Sequence, residues 1–273
     1  MRIGIIGFGN IAASLLDLLD RSDLTPAHVA VLASARGADA ARAQLAQRGQ
    51  LRPHTQAVVT TAEALVEETP NLVIECAGHG AVISHVPTIL QAGIDVIVVS
   101  VGALADAALA ETLRHAAQAG GAQVILPAGA VGGIDLLSAL SVADGLEVRY
   151  RGTKPPRAWA GSRAEDTIDL AATSTATVFF QGSARQAALA FPKNANVAAT
   201  LALAGAGLDD TLVELIADPA AAGNIHSYEV RSAIANYRME IESLPSAGNA
   251  KTSASTVYSI LRAIRNRTNW VTL

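Results

Sequence analysis

The sequence predicts an α/β protein in which a doubly wound parallel sheet comes first and a second α+β domain with a mixed or antiparallel sheet follows. The first observation is a rhythm in residues 1–145, where short β-branched runs alternate with longer Ala- and Leu-rich stretches of helical spacing. The second is a change after about residue 145, where runs alternate apolar and polar residues, as strands with one covered face do. A chain of 273 residues is long enough for two such domains.

Six apolar runs are expected to be the strands of the first domain. Several are apolar at nearly every position, which is typical of central strands that helices cover on both faces. Because crossovers between parallel strands are right-handed, the intervening helices make the sheet doubly wound. The predicted strands are residues 2–6, 28–33, 57–60, 72–76, 95–100 and 123–126. The predicted helices are residues 11–20, 38–47, 62–68, 81–91, 105–119 and 134–143.

The second domain is expected to contain strands with one wetter face, interrupted by helices. The predicted strands are residues 148–154, 210–217, 226–233 and 237–242, and the predicted helices are residues 184–190 and 195–204. A final amphipathic helix is predicted at residues 253–265. We therefore place the first domain at residues 1–145 and the second at residues 146–249, with the segment 250–273 packing back on the first.

Charge and composition narrow the class of partner. The formal net charge is −4 and no long run of either sign occurs, so neither a nucleic acid nor an anionic membrane is indicated. No stretch offers the roughly 20 uninterrupted apolar residues of a spanning helix. The single cysteine, Cys76, cannot form an internal disulfide, and no Cys or His spacing fits a metal motif. We expect a cytoplasmic protein that binds a small molecule and no metal.

A glycine pattern follows the first predicted strand directly. The segment Gly7-Phe8-Gly9-Asn10-Ile11-Ala12 has the form GxGxxA and leads into an apolar-periodic helix. Gly7 permits a tight turn, Gly9 lets the backbone approach a pyrophosphate, and the helix start offers N–H groups to phosphates. The motif alone also fits an ordinary strand-to-helix turn. At the head of a βαβ series it predicts a Rossmann-type dinucleotide-binding domain, with Gly7, Gly9, Asn10 and Ile11 at the cofactor.

The end of the second strand bears on the choice of cofactor. An Asp or Glu there would hydrogen-bond the adenosine ribose of NAD, but this chain has Ala33-Ser34-Ala35-Arg36. Ser34 and Arg36 could hold the 2′-phosphate of NADP. The alternative is that Arg36 simply begins the next helix in solvent. The cofactor is therefore predicted to be NAD or NADP.

Small residues also follow three later strands. They occur at Cys76-Ala77-Gly78, at Ser100-Val101-Gly102 and at Pro127-Ala128-Gly129-Ala130. A ligand that lies directly on backbone requires small side chains at the carboxyl ends of strands. We therefore expect Cys76 and Ala77 to contact the cofactor.

Three polar residues in the second domain are candidates for catalysis or substrate binding. His226 starts a predicted strand, where a neutral imidazole could reach an interdomain cleft and act as a general acid or base. Lys193 and Asn194 lie beside the start of an Ala-rich helix, where positive charge and free N–H groups favour a carboxylate. A structural histidine and a simple Asn helix cap are the alternatives at these positions.

Five segments occur in a defined order along the chain. The GxGxxA turn is followed by the segments 127–135 (PAGAVGGID), 180–184 (FQGSA), 191–199 (FPKNANVAA) and 224–226 (NIH). Together, these segments resemble the L-aspartate dehydrogenases over essentially the whole chain. The FPKN-x-NVAA segment is the most specific of them.

The resemblance implies that His226 is the catalytic residue and that Ala130 and Asn196 contact the nicotinamide end of the cofactor. It also implies oxidation of L-aspartate to iminoaspartate with NAD or NADP, and the reverse reductive amination. The imine would hydrolyse to oxaloacetate and ammonia, or feed quinolinate and hence NAD synthesis.

Other readings of the same architecture remain open at this point. Homoserine dehydrogenase and dihydrodipicolinate reductase share a two-domain plan, but the HHxxK-type stretch and PSGTA-like loop of the latter are absent. A non-catalytic dinucleotide-sensing protein is a third alternative, since fold does not fix function. We expect a homodimer, because two-fold symmetry is the commonest oligomeric arrangement.

Overall fold

Six parallel strands form the first sheet in the computed structural model, which describes residues 1–49, 55–243, 245–246 and 249–272. The strands are β1 (Arg2–Ile6), β2 (His28–Leu32), β3 (Thr55–Val59), β4 (Leu72–Glu75), β5 (Asp95–Val98) and β6 (Val124–Ile125). Their order is β3-β2-β1-β4-β5-β6, and every neighbouring pair is parallel. The predicted doubly wound sheet is thus confirmed. The order reverses between β1 and β4, which is where such sheets bind ligands.

Five helices connect these strands: α1 (Asn10–Arg21), α2 (Ala38–Gly49), α3 (Ala62–Glu67), α4 (His79–Gln91) and α5 (Ala107–Gly120). The helix predicted at 105–119 is α5, which begins two residues later because a 3₁₀ turn at Val101–Ala105 precedes it. The first turn of α3 is capped by Thr61, whose side chain accepts a hydrogen bond from the Ala64 N–H.

The second half of the chain contains the remaining elements. They are α6 (Ile134–Ala139), β7 (Glu147–Lys154), β8 (Thr177–Ser183), α7 (Ala184–Ala190), α8 (Asn196–Ala204), β9 (Leu212–Ala217), β10 (Asn224–Arg231), β11 (Tyr237–Ser243), β12 (Pro245–Ser246), β13 (Asn249–Ser253) and α9 (Ser255–Thr268). The helix predicted at 134–143 ends at Ala139 and continues as a 3₁₀ turn, Leu140–Val142.

Five of these strands form a mixed sheet with the order β11-β10-β7-β9-β8. The pair β7 and β9 is parallel, and the other neighbouring pairs are antiparallel. Along β7 and β10, buried residues alternate with more exposed ones, so one face of the sheet is covered. This confirms the predicted mixed sheet. The strand β8 was not predicted. Its pairing with β9 shifts register between Val178 and Phe180, which breaks the alternation of apolar and polar residues.

The chain divides into two compact units that are not single segments. The first consists of Met1–Ser100, Ala107–Pro127 and Val257–Leu273, and the second of Val101–Asp106 and Ala128–Thr256. The boundary that we predicted near residue 145 lies inside the second unit. Within the first unit, Ile260 and Ile264 of α9 join a core with Ile3 and Leu15. Burying each such side chain stabilises the unit by about 1.5–3 kcal/mol. In the described part of the chain, no helix is both long and apolar enough to cross a bilayer.

Candidate active site

The turn between β1 and α1 is tight because Gly7 adopts a left-handed conformation, with φ +86°. Its N–H donates to the Leu32 carbonyl at 2.8 Å. A Cβ on this residue would lie 2.7 Å from the Ala77 Cβ, so any larger residue would clash as well as strain the backbone. The turn therefore requires glycine at position 7.

Gly9 forms the N-cap of α1, and it leaves the helix start open. No side chain caps the helix there, and a Cβ on Gly9 would have no heavy atom within 4 Å. Asn10 and Ile11, the first helical residues, are partly exposed. A helix start without a side-chain cap and beside open space suits a phosphate, because the helix dipole and the backbone N–H groups both favour an anion. The residues present thus fit a pyrophosphate.

A buried carboxylate that the sequence analysis overlooked organises the neighbouring strand ends. Glu75, the last residue of β4, is 0% exposed. Its Oε1 accepts from the N–H groups of Ala77 and Gly78, both at 2.7 Å, and its Oε2 accepts from the Ser100 N–H at 3.0 Å. The Ser100 hydroxyl donates to Oε1 at 3.0 Å. This carboxylate holds together the loops that follow β4 and β5, including the predicted cofactor residues Cys76 and Ala77.

Ser34 and Arg36 lie in the turn that follows β2, and both are exposed. The turn is closed by the Gly37 N–H, which donates to the Ser34 carbonyl at 2.8 Å. The next helix starts only at Ala38, so Arg36 precedes the helix and does not begin it. The turn stands at the same carboxyl edge of the parallel sheet as Gly7.

Two further predicted cofactor residues belong to the second unit. Asn196 is the first residue of α8, and its Oδ1 accepts from the Gly102 N–H at 2.9 Å. This bond fixes the 3₁₀ turn Val101–Ala105 against α8. Ala130 is buried and follows Gly129, which has a φ of +69°.

The predicted catalytic histidine lies on the covered face of the mixed sheet. His226 is 3% exposed, and it pairs with Gly152 of β7 on one side and with Ile241 of β11 on the other. The Tyr150 hydroxyl is 2.8 Å from its Nδ1. The two rings are nearly parallel, with an angle of 16° between them.

A buried cation shares this face. Lys154 of β7 is 3% exposed, and its Nζ lies 5.2 Å from the centroid of the Trp159 ring. Burial, and secondarily the charge of Lys154, lowers the pKa of His226 to about 3. The imidazole is therefore neutral at physiological pH. Burial also raises the pKa of the Tyr150 hydroxyl, which stays protonated.

Neither Tyr150 nor Lys154 is among the site residues predicted from the sequence. A usable signal existed, because Tyr150, Gly152 and Lys154 occupy every second position of β7 and so share one face. The pairing of β7 with β10 places that face beside His226.

Lys193 and Asn194 line a different cavity of about 330 Å³ in the second unit. Lys193 is exposed, and the Arg163 guanidinium also lines the cavity, where it lies 3.6 Å from the Asp166 carboxylate. Asn194 is buried, and no described residue hydrogen-bonds to its Oδ1. His226 is not among the residues that line this cavity. Over the described ranges, no three His, Cys, Asp or Glu side chains group as metal ligands would.

Comparisons with known proteins agree with these observations. Residues 7–127 match a family model described as homoserine dehydrogenase, NAD binding domain, and residues 135–267 match one described as aspartate dehydrogenase, C-terminal. An L-aspartate dehydrogenase of Ralstonia nicotianae is 46% identical over 273 residues, which is 100% of both chains. A crystal structure of aspartate dehydrogenase from Thermotoga maritima has a TM-score of 0.74 and 30% identity, and the match covers 100% of this chain and 99% of that one.

The alternative enzymes that share this two-domain plan are less similar to this chain. A hyperthermophilic archaeal homoserine dehydrogenase, solved in complex with NADPH, aligns with a TM-score of 0.57 at 12% identity. A likeness at that level of identity shows the fold alone. Since the full-length relative and the C-terminal family model agree, the chain belongs to the aspartate dehydrogenase family.

Proposed function

We propose that this protein catalyses the NAD(P)-dependent oxidative deamination of L-aspartate to iminoaspartate, and the reverse reductive amination. The single observation that carries the proposal is a neutral, buried His226 beside the ammonium of Lys154, in a chain whose relatives are L-aspartate dehydrogenases. A positive charge at this position favours an anionic substrate. The imine would hydrolyse to oxaloacetate and ammonia or feed quinolinate and NAD synthesis.

The proposed cofactor residues fall into two groups. The open start of α1, with Gly7, Gly9, Asn10 and Ile11, would hold the pyrophosphate. Contacts with the rest of the dinucleotide are proposed for Ser34, Arg36, Cys76, Ala77, Ala130 and Asn196, the last two at its nicotinamide end. When bound, NAD or NADP would accept the hydride from the substrate Cα.

The protein side chains would position the substrate and move protons. Lys193 and Asn194 are proposed to hold a substrate carboxylate, since they combine positive charge with a buried polar group. His226 is proposed to orient the substrate and to assist proton transfer during deamination and imine hydrolysis. The substrate amine must be unprotonated, because its lone pair stabilises the developing iminium.

The assembly and compartment are proposed as a cytoplasmic homodimer. The exposed positions of the mixed sheet carry charges of both signs, such as Arg151 and Glu214, which are 2.7 Å apart. Charges of both signs on one face allow opposite charges of two copies to meet across a two-fold axis. Sedimentation of the purified protein would test the dimer.

Absorbance of the reduced nicotinamide tests the activity directly. L-Aspartate should be oxidised with NAD or NADP, and homoserine and dihydrodipicolinate should give no comparable rate. His226→Ala should lower kcat by about two to four orders of magnitude while cofactor affinity is retained. His28→Gln is the matched control, because His28 is also buried but bonds to Thr55 and Glu68 in the first unit. A His226→Ala enzyme with most of its activity would remove His226 from the mechanism.

A further inference from the structure

The strand next to His226 has an unusual sequence of side chains on its covered face. Tyr150 and Lys154 flank Gly152, and Gly152 stands opposite His226 in the antiparallel ladder. A Cβ at position 152 would lie 2.6 Å from the Tyr150 hydroxyl oxygen and 3.1 Å from the ring carbon that bears it. The tyrosine thus leans across the space of the missing side chain to reach the histidine.

The hydrogen bond between the two side chains has a defined direction. Tyr150 is buried, and among the described residues its hydroxyl makes no hydrogen bond other than that to His226 Nδ1. If Nδ1 carried the proton and donated it to the tyrosine oxygen, the hydroxyl hydrogen would be buried without an acceptor, which is costly. The favourable arrangement is therefore donation by Tyr150 to the Nδ1 lone pair.

We propose that Tyr150 is a positioning residue for His226: its hydroxyl donates to Nδ1 and thereby keeps the ring proton on Nε2, and Gly152 makes the room that this contact requires. His226 then offers the substrate a hydrogen-bond donor in the resting enzyme, which suits a carboxylate oxygen. Nε2 can take up a proton only after the ring proton has moved to Nδ1, and that change requires the Tyr150 hydroxyl to turn from donor to acceptor. The consequence for catalysis rests on the function proposed above, whereas the position of the proton does not.

Nitrogen NMR of the imidazole reads the proton position without any turnover. Protein labelled with ¹⁵N in histidine should give a protonated Nε2 and an unprotonated Nδ1 for His226, at pH 7 and without substrate. The signal is assigned by its loss in His226→Gln. A protonated Nδ1 in the wild-type protein would overturn the proposal, whatever substrate the enzyme uses.

Kinetics test the role of the contact. Tyr150→Phe should lower kcat/KM for aspartate roughly ten- to hundredfold, by analogy with metal-binding histidines, whose hydrogen-bond partners orient the ring in the same way and cause a loss of that size when removed. The Kd of the cofactor should stay within about twofold, since no cofactor contact is assigned to this residue. Tyr228→Phe is the matched control: Tyr228 pairs with Tyr150 in register, but its hydroxyl donates to the Gly132 carbonyl at 2.7 Å.

A double-mutant cycle separates positioning from general damage to the fold. Gly152→Ala should lower kcat/KM about as much as Tyr150→Phe, because the methyl group displaces the hydroxyl. In the Tyr150→Phe background the same change should cost less than about threefold, since the contact is already lost. Additive losses would contradict the proposal. If the wild-type protein does not oxidise aspartate, the function proposed above fails, and the NMR result alone decides whether Tyr150 sets the tautomer.

Discussion

Replacement of Glu75 by Gln is expected to destabilise the first unit strongly although it changes only one atom of the side chain. In the wild-type protein both carboxylate oxygens accept hydrogen bonds, and the side chain is 0% exposed. A glutamine can keep its carbonyl oxygen at the Oε1 position. Its NH₂ group then occupies the Oε2 position and faces the Ser100 N–H. Both groups are donors, so the hydrogen bond from Ser100 cannot form.

The magnitude follows from the bonds that change. One charge-assisted bond worth about 1.5–3 kcal/mol is lost, and the Ser100 N–H is left unsatisfied at a cost of about 1–3 kcal/mol. The three bonds to the other oxygen remain but become bonds to a neutral acceptor, while the amide is easier to bury than a carboxylate. Because the easier burial of the amide offsets part of these two costs, the net loss should be about 2–4 kcal/mol. This is a large share of a typical unfolding free energy of about 5–15 kcal/mol.

Urea unfolding followed by circular dichroism measures this loss, and Glu67→Gln is the control because Glu67 is exposed at the end of α3. The control should change the unfolding free energy by less than about 0.5 kcal/mol. The affinity of folded Glu75→Gln for reduced cofactor should also fall, because the loops after β4 and β5 lose their common anchor. A loss of stability below about 1 kcal/mol would refute this account of the carboxylate.

Four further changes have defined outcomes. Gly7→Ala should lower the free energy of unfolding by about 2–4 kcal/mol, because of left-handed strain and the clash with Ala77. Gly9→Ala should leave the melting temperature unchanged but weaken cofactor binding. Calorimetry measures both effects. Arg36→Ala should raise the Kd for NADP about ten- to hundredfold and change the Kd for NAD little. An equal change in both Kd values would show that Arg36 does not bind the 2′-phosphate. The pKa of His226 is about 3 in the folded protein and 6.5 in its ordinary state, so between these values a proton binds the unfolded chain but not the folded protein. The free energy of unfolding is therefore highest above pH 6.5 and decreases as the pH falls towards 3. Between pH 8 and pH 5 the wild-type protein should therefore lose about 2 kcal/mol more than His226→Gln in urea titrations, and parallel curves would contradict the depressed pKa.

Local signals explain why the parallel sheet and the glycine turn could be predicted. The strands β1, β2 and β4 are continuous apolar runs, and the turn after β1 depends on a conformation that glycine adopts at no steric cost. Each of these signals lies within a few neighbouring residues. Prediction was correspondingly accurate to within two residues at most strand ends.

Contacts between distant segments explain what the sequence did not reveal. The hydrogen bond from Tyr150 to His226 joins residues 76 positions apart, and it exists only because β7 and β10 pair in one particular register. The division into units has a similar origin. The turn at 101–106 follows a strand of the first sheet, yet the bond between Gly102 and Asn196 ties it to α8.

Three buried polar residues share one property that is visible in the sequence and can be used to find functional residues in related chains. Glu75, Lys154 and His226 occupy strand positions at which the alternation or continuity of burial calls for an apolar side chain. Burying a polar or charged group is costly unless it is hydrogen-bonded or paired, so such a residue persists only where its contacts serve the fold or the chemistry. Glu75 serves the loops of the first unit, and His226 with Tyr150 serves the proposed reaction. We therefore expect His226, a polar residue on the covered face of a strand, to matter more for function than Lys193, which lies exposed in the turn before α8. His226→Ala should then lower kcat/KM for aspartate more than Lys193→Ala does.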